Sequence, residues 1–218
     1  MHTNQLAQYY ALIAETYDRV DPDDESESPE ELDELQERVA EILSGHKVLE
    51  IACGTGYWTE AIAETAASVH ATDLSPEMLA LAKARGLESD TITFSLADAY
   101  DLPAAPGQYT ACFAGFWWSH VKREDQERFL GQLRAKLGKD TLLVLIDNCY
   151  VDGATMVIAR TDLEGNTHQI RTAPDGERYE ILKNYPSDSA LRKKMASSVR
   201  EIRIERMEYY WLLTCRLK

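Results

Sequence analysis

From residue 47 onward, short apolar runs alternate with segments of helical periodicity. The runs have the length and apolar content of buried strands, and they are 47–51, 68–72, 91–96, 110–114 and 141–147. The segments between them repeat apolar residues at helical spacing, and they are 57–66, 76–84 and 123–137. This alternation predicts an α/β fold, a doubly wound Rossmann-like sheet that is mostly parallel and has helices on both faces.

Two helices are predicted before this alternating core. An amphipathic pattern covers about Gln5 to Tyr17, and an acidic connector follows it. Ser28-Pro29-Glu30-Glu31 is a capping box with proline at the first helical position, which predicts a helix from there to about Leu43.

The rhythm breaks after residue 147. Ala173-Pro174-Asp175-Gly176 is a turn signal, and the β-rich segments 170–172 and 178–183 flank it, so we predict an inserted β-hairpin. A helix should open at Ser187, and 199–206 and 208–217 should form an antiparallel strand pair at the C-terminal end. At 218 residues the chain is predicted to be a single domain. Its predicted parts are 1–45 as N-terminal lid and acidic connector, 46–147 as core, 148–186 as hairpin insertion and 187–218 as C-terminal helix and strands.

Charge and cysteine usage narrow the possible partners. The formal net charge is −14, and twelve acids stand against two bases between Asp18 and Glu41. Nucleic-acid backbones demand a basic surface, so we expect no nucleic-acid partner. The four cysteines lack metal or redox spacing, which predicts a reduced cytoplasmic protein without a metal. No apolar run approaches the length of a membrane span. We expect a monomer or a homodimer.

The chemistry begins at the first predicted strand. Gly54-Thr55-Gly56 follows it as a side-chain-poor turn, which allows the backbone to approach a ligand closely. Asp73 lies seventeen residues after Gly56, at the end of the next strand, where an acid commonly binds a ribose. These features predict a site for a nucleoside cofactor.

The residues after the turn favour a cofactor without phosphates. Thr59 stands where a dinucleotide site has its third glycine, and Tyr57-Trp58 crowd the helix start that a pyrophosphate would need. A bulky aromatic side chain there can lie beside a sulfonium. A doubly wound domain that binds another nucleotide is the alternative interpretation.

At these positions the chain resembles the class I S-adenosylmethionine-dependent methyltransferases, whose first motif has an acid, small residues and Gly-x-Gly. Glycine is usual where this chain has Ala52, and the substitution asks for an unstrained backbone there. Asp73-Leu74-Ser75-Pro76-Glu77-Met78 and Ala97-Asp98-Ala99 match the later segments. The resemblance implies that S-adenosylmethionine is bound by Glu50, Ala52, Gly54, Gly56, Trp58, Asp73, Leu74, Met78, Asp98, Ala99 and Phe116.

A narrower resemblance concerns the acceptor. Tyr10 and Tyr17 look like the lid-helix tyrosines of small-molecule methyltransferases, although they could equally pack the helix onto the sheet. The hairpin resembles that of O-methyltransferases acting on phosphonates, which implies that Arg171 and Lys183 clamp an anion. The arginine that those enzymes place soon after Tyr10 is replaced by Ala11-Leu12-Ile13. An ordinary exposed pair on a hairpin is the alternative interpretation of Arg171 and Lys183.

The remaining candidates follow the fourth core strand. His120 is expected to face the transferred methyl group, where it orients the acceptor or acts as a base, or else has a structural role. Trp117 and Trp118 should divide between core and pocket, and we place Trp117 with the substrate. Together with Tyr17, His120 is our candidate for catalysis. We expect O-methylation of a small anionic phosphonate or carboxylate. The alternatives are N- or C-methylation of a neutral aromatic metabolite, or a regulatory protein that binds the cofactor without turnover.

Overall fold

The computed structural model describes residues 2–18 and 28–218. Helix α1 covers His2–Ile13, and a short 3-10 helix, Ala14–Thr16, continues it. Helix α2 is Pro29–Ile42, and the Ser28 side chain accepts a hydrogen bond from the Glu31 backbone N–H, as the capping pattern predicts. Residues 19–27 of the acidic connector lie outside the described residues.

A seven-stranded sheet forms the centre of the fold. Its strands are β1 Lys47–Ile51, β2 Ser68–Asp73, β3 Ile92–Leu96, β4 Ala111–Gly115, β5 Leu142–Asn148, β9 Val199–Arg206 and β10 Tyr210–Leu217. The order is β3-β2-β1-β4-β5-β10-β9, with β10 antiparallel to β5 and β9, and the other pairs parallel. The predicted mixed sheet is therefore confirmed. The order reverses between β1 and β4, which is where ligands bind in open α/β sheets.

Helices cover this sheet. They are α3 Tyr57–Ala63, α4 Pro76–Ala84, α5 Gln126–Leu137 and α6 Asp188–Met195. Glycine follows the ends of two of them, Gly86 after α4 and Gly138 after α5. Ser75 and Ser187 cap α4 and α6 with their side chains. Two apolar clusters fill the space on the two faces of the sheet, and strand residues such as Phe113 and Leu145 are buried completely or nearly so.

The segment between β5 and α6 forms a second sheet. Its strands are β6 Arg160–Thr161, β7 Thr167–Thr172 and β8 Arg178–Leu182, all antiparallel. The predicted hairpin exists as β7 and β8, but it begins three residues earlier than expected and gains a third strand. The two-residue strand β6 has no hydrophobic pattern of its own, so the sequence carried no signal for it.

Helix α1 lies against this second sheet. Tyr9 packs on Ala173 and Ile181 in a small apolar cluster separate from the two main clusters. The same helix also approaches α4, so it bridges the hairpin sheet and the main fold. None of the helices in 2–18 and 28–218 combines the length and apolar character that crossing a membrane requires.

Candidate active site

The turn after β1 has an unusual backbone. Gly54 and Gly56 have φ angles of 56° and 83°, in the left-handed region that glycine adopts easily. Ala52 has a φ angle of 53°, so the expectation of an unstrained backbone there is wrong. A left-handed non-glycine residue costs about 1 kcal/mol or more, and strain of this kind is commonly found where a chain contacts a ligand. Ala52 keeps this conformation because β1 and the following turn fix the chain on both sides.

Asp73 closes this turn from the neighbouring strand. Its Oδ2 accepts a hydrogen bond from the Gly54 N–H at 2.9 Å, and its Oδ1 accepts one from the Ser75 N–H at 2.8 Å. Burial raises the pKa of this carboxyl group, although the backbone donors oppose the effect. Asp73 therefore ties the glycine turn to the start of α4 and faces the cleft with its carboxylate partly satisfied.

Glu50 lies in β1, beneath the glycine turn. It is almost fully buried, and Thr59 donates a hydrogen bond from Oγ1 to its Oε2 at 2.6 Å. Burial raises its pKa to about 8, with the Thr59 bond opposing this. Thr59, which occupies the third-glycine position, thus joins α3 to the end of β1. The structure places Glu50 behind the cleft and not in its wall.

Trp58 also lies in the core. Its indole packs against Phe113, and its Nε1 has no hydrogen-bond partner in the part of the chain that the structure describes. Gly115 permits this packing, because a Cβ atom at that position would lie 2.7 Å from Trp58 Nε1. The indole therefore supports the floor of the cleft from below, whereas the sequence had predicted that it contacts the cofactor.

A cleft opens at the carboxyl ends of β1, β2 and β4. It encloses about 840 Å³, a volume that includes its part open to solvent. Twelve of the seventeen predicted site residues line it, namely Tyr10, Tyr17, Ala52, Gly54, Asp73, Leu74, Met78, Asp98, Ala99, Phe116, Trp117 and His120. Five do not, namely Glu50, Gly56, Trp58, Arg171 and Lys183. The prediction that the two adjacent tryptophans divide is confirmed, since Trp118 is buried in the core.

The N-terminal lid is tied to the glycine turn by charged groups. Thr55 donates a hydrogen bond from Oγ1 to Asp18 Oδ1 at 2.7 Å, and Asp18 also pairs with Arg85. Arg85 in turn donates from Nε to the Thr55 carbonyl at 2.7 Å. These contacts hold the end of the lid against the turn, which places Tyr10 and Tyr17 over the cleft.

The other end of the cleft has a hydrogen-bonded chain. His120 Nδ1 lies 2.5 Å from the Leu182 carbonyl oxygen, and His120 Nε2 lies 3.1 Å from Tyr10 Oη. Burial and the nearby charge of Lys183 lower the pKa of His120 to about 3, so the imidazole is neutral. A carbonyl can only accept, hence Nδ1 carries the proton and Nε2 accepts from the Tyr10 hydroxyl.

Arg171 lies behind this chain. It donates to Tyr10 Oη over 3.4 Å and to Gln169 Oε1 over 3.0 Å, and its Cζ lies 5.7 Å from the centre of the Tyr9 ring. Its Nε is buried without a partner. Within the described residues, no carboxylate lies close enough to form an ion pair with it.

Lys183 is enclosed by the protein. It donates to Asp147 Oδ1 at 2.9 Å and to Asn148 Oδ1 at 2.8 Å, and only 4% of the residue is exposed. Its charge is therefore balanced by the buried carboxylate of Asp147. The alternative of an ordinary exposed pair is wrong, because Lys183 is buried and Arg171 is largely enclosed by the protein.

Several residues of this region escaped the sequence analysis. Asp147 lies at the carboxyl end of a buried strand, as Asp73 does, so the same signal could have identified it. Tyr100 lies in the cleft wall two residues after Asp98, and its backbone N–H binds the Asp98 side chain. Leu6, Ala7, Ser75, Ala97 and Gly115 complete the wall. Their small or apolar side chains give no chemical signal in the sequence.

The cleft fits S-adenosylmethionine on its own geometry. Gly54 leaves the floor of the cleft open to close approach, because no atom lies within 4 Å of the position that a Cβ would take there. Asp73 and Asp98 present carboxylates at the ends of adjacent strands, suited to hydroxyl and amino donors. Met78 is a buried apolar wall residue between them, where a flat heterocycle can pack.

Comparison with known proteins agrees with this site. Residues 48–140 match the family described as methyltransferase domain. The ubiquinone biosynthesis O-methyltransferase of Xanthomonas campestris pv. campestris (strain B100) is 34% identical over 124 residues, which is 55% of this chain. The match covers 51% of that relative, so the chain spans about half the length of the curated protein.

Solved structures extend the likeness to nearly the whole chain. The complex of DhpI with SAH has a TM-score of 0.74 and 26% identity, covering 99% of this chain and 97% of that one. A DhpI–SAM–HEP complex has a TM-score of 0.77 and 24% identity, with the same coverage. The matched domain, the sheet order and the cleft make the chain similar to the class I S-adenosylmethionine-dependent methyltransferases, with residues 48–140 as the part that matches a methyltransferase domain.

Proposed function

We propose that this protein transfers a methyl group from S-adenosylmethionine to an anionic oxygen of a small molecule. The observation that carries the proposal is the charge of Arg171. A largely enclosed guanidinium that has no carboxylate partner among residues 2–18 and 28–218, and whose buried Nε has no partner there, is costly unless an anion accompanies it. Tyr10 joins Arg171 to the cleft wall, so an anionic acceptor in the cleft would supply the missing charge.

The state of His120 supports an acceptor that arrives already ionised. When bound, S-adenosylmethionine supplies an electrophilic methyl group that an oxygen displaces in line, leaving S-adenosylhomocysteine. His120 resists protonation, because burial and the charge of Lys183 hold its pKa well below neutrality. A neutral hydroxyl or amine would have to lose a proton here, and His120 is a poor acceptor for that proton. A carboxylate or phosphonate oxygen needs only alignment, which can supply several kcal/mol through proximity.

The acceptor atom is proposed to be oxygen on two grounds. The curated relative is named an O-methyltransferase, although the chain matches only half of its length. Methylation of an amine would also leave a cation beside Arg171, which electrostatics opposes. Arg171 is therefore proposed as the anion-binding group, acting next to Tyr10, and Lys183 as the residue that balances Asp147.

One observation favours a second candidate. The acceptor end of the wall is aromatic, with Phe116, Trp117 and Tyr100 all lining the cleft, whereas Arg171 stands behind it. Such a wall suits a neutral aromatic acceptor methylated at nitrogen or carbon. A cofactor-binding protein without turnover is the third possibility, and only an activity measurement separates it from an enzyme.

The test is release of S-adenosylhomocysteine, measured by mass spectrometry with a panel of small phosphonates, carboxylates, phenols and amines. Arg171→Met should lower kcat/KM for the anionic acceptors by about 10- to 100-fold, the loss expected for charge-assisted hydrogen bonds. The affinity for S-adenosylhomocysteine should not change. Arg178→Met is the matched control, because that arginine is exposed on the same hairpin. Turnover confined to phenols or amines, or equal kinetics of the two variants, would overturn the anionic acceptor.

The cellular setting is proposed from the state of the cysteines. All four cysteines are free thiols in the fold, and each is buried, as suits a reducing cytoplasm. We propose a cytoplasmic enzyme, monomeric or homodimeric, that folds as one domain. Fluorescence microscopy of a tagged chain and sedimentation analysis test the first two points, and a single cooperative unfolding transition tests the third.

A further inference from the structure

We propose that Tyr10 selects acceptors that still carry an O–H group, and that His120 is the positioning residue that gives Tyr10 this selectivity. The inference rests on the proposed function, since it concerns the anionic acceptor of the same cleft. Leu182, His120 and Tyr10 lie in a row, and their geometry determines which group donates each hydrogen bond.

The Leu182 carbonyl determines the direction of the hydrogen bonds that run from it through His120 to Tyr10. The Leu182 carbonyl can only accept, so the proton of the neutral imidazole lies on Nδ1 of His120. Nε2 then has a lone pair and accepts the proton of the Tyr10 hydroxyl at 3.1 Å. Because the single hydroxyl proton of Tyr10 is committed to His120, Tyr10 cannot donate to a ligand.

Tyr10 therefore presents a hydrogen-bond acceptor, and no donor, to the cleft. A phenol oxygen has two lone pairs, and Arg171 Nη1 reaches this oxygen from outside the wall at 3.4 Å. The lone pair that remains on the Tyr10 oxygen would repel an oxygen that carries a negative charge and no proton. It would accept a hydrogen bond from the O–H of an acid. Acceptor groups that combine a negative charge with an O–H near neutral pH are the monoanions of phosphonates and phosphate monoesters. Carboxylates and sulfonates have the charge without the proton.

The charges around Tyr10 act in both directions, since Arg171 attracts a second negative charge on the acceptor and the carboxylates of the cleft oppose it. Lys183 and Asp147 form a buried ion pair behind His120, and Arg171 provides the remaining positive charge. Burial raises the pKa of the Tyr9 and Tyr185 phenols, so both stay neutral near pH 7. Asp73 and Asp98 face the cleft from the ends of β2 and β3, and Tyr17 lies in the wall beside Tyr10. A second negative charge on the acceptor would therefore meet two carboxylates across the cleft and the lone pair of Tyr10.

The first test is the pH dependence of ligand binding to the wild-type protein with S-adenosylhomocysteine, by calorimetry. Ethylphosphonate has a second ionisation near neutrality, as phosphate monoesters do at about pH 6, whereas ethanesulfonate is a monoanion throughout. The sulfonate reports any titration of the protein itself. Relative to it, the Kd of ethylphosphonate should rise by up to about tenfold per pH unit above its second pKa. A ratio that stays constant or falls would overturn the proposal.

The second test reverses the selectivity. His120→Asn keeps an amide donor near the position of Nδ1 but removes the Nε2 acceptor, so the Tyr10 hydroxyl becomes able to donate to the ligand. The pH dependence should then flatten or invert, favouring the dianion and the sulfonate. Tyr179→Phe is the control, because its hydroxyl binds exposed Glu177 away from the cleft, and it should keep the wild-type profile. A His120→Asn profile identical to wild type would overturn the role of His120.

A spectroscopic measurement tests the His120 tautomer directly, without a ligand. Nitrogen-15 spectra of histidine-labelled wild-type protein should contain one neutral ring protonated at Nδ1 that does not titrate down to about pH 5, well below the ordinary histidine pKa. The His120→Asn variant assigns that signal by its loss. An Nε2–H tautomer, or protonation near pH 6, would overturn the inference. Absence of phosphonate binding at every pH, with the expected tautomer present, would instead count against the proposed anionic acceptor and against selection by Tyr10.

Discussion

Replacing Lys183 by methionine separates its structural role from a clamping role. The substitution keeps the length and apolar stem of the side chain and removes the cation that faces Asp147 Oδ1 at 2.9 Å. Asp147 then keeps the backbone N–H donors of Ser119 and Asn148, at 2.7 and 2.9 Å, but loses its counter-charge. Because both partners are buried, breaking the pair should cost about 3–5 kcal/mol of unfolding free energy. For a chain of this size the expected fall in Tm is roughly 10 °C.

The loss of unfolding free energy in Lys183→Met should also depend on pH. Burial alone would raise the pKa of Asp147, but the charge and hydrogen bond of Lys183 hold it below its ordinary value. A lowered carboxyl pKa contributes stability above the unfolded pKa of about 4 and loses it as the pH falls through the folded value. Without Lys183 the Asp147 pKa should rise above the unfolded value, so the variant should gain stability as the pH falls from 7. The gap to wild type should therefore narrow in acid.

Urea unfolding followed by tryptophan fluorescence at about pH 7 and pH 5 measures both effects. Lys194→Met is the control, because this lysine is exposed on α6, and a change below about 0.5 kcal/mol is expected there. Asp147→Asn alone and combined with Lys183→Met completes a double-mutant cycle. A loss below about 1 kcal/mol for Lys183→Met, the level of a solvated ion pair, would refute the reasoning.

Three further predictions concern the cofactor half of the cleft. Gly115→Ala should destabilise the protein by about 1–3 kcal/mol in urea unfolding, because its Cβ would meet the buried Trp58 ring at 2.7 Å; unchanged stability would mean that the indole moves freely. Ala52→Gly should relieve the left-handed strain and change stability by less than about 1 kcal/mol, and a loss above about 2 kcal/mol in the same assay would contradict this. Burial raises the Glu50 pKa to about 8, so wild-type stability should fall as the pH rises above the unfolded pKa toward that value. Glu50→Gln keeps an acceptor for Thr59 and should remove this fall, and a parallel pH profile of the two proteins would count against a buried protonated acid.

The cofactor half was predictable because its chemistry is local in the sequence. A strand, a glycine turn and an acid at the end of the next strand determine each other through backbone geometry. Asp73 therefore lies where the spacing from Gly56 indicated. Two of the predicted residues lie outside the cleft wall because their positions are buried below the surface. Glu50 and Trp58 follow the motif, yet one binds Thr59 and the other packs under Gly115.

The acceptor half was less predictable because its contacts join distant segments. Lys183 is paired with a residue 36 positions away, and Tyr10 with one 110 positions away. No periodicity indicates which side chains a hairpin will bury, so Arg171 and Lys183 could be named but not placed. The His120 tautomer depends on the Leu182 carbonyl, whose position is a property of the folded hairpin sheet.

These differences explain how one fold can keep its cofactor and change its acceptor. The cofactor half is built from backbone turns at the sheet edge, where a substitution such as Gly115→Ala disturbs the core. The acceptor half is built from side chains on α1, β7 and the end of β8, three segments outside the main sheet. Its charge is set by few groups, since Asp147 cancels Lys183 and leaves Arg171 to act beside Tyr10. We therefore expect a single substitution at Tyr10 or Arg171 to change the acceptor that is favoured while the strands that hold the cofactor stay intact.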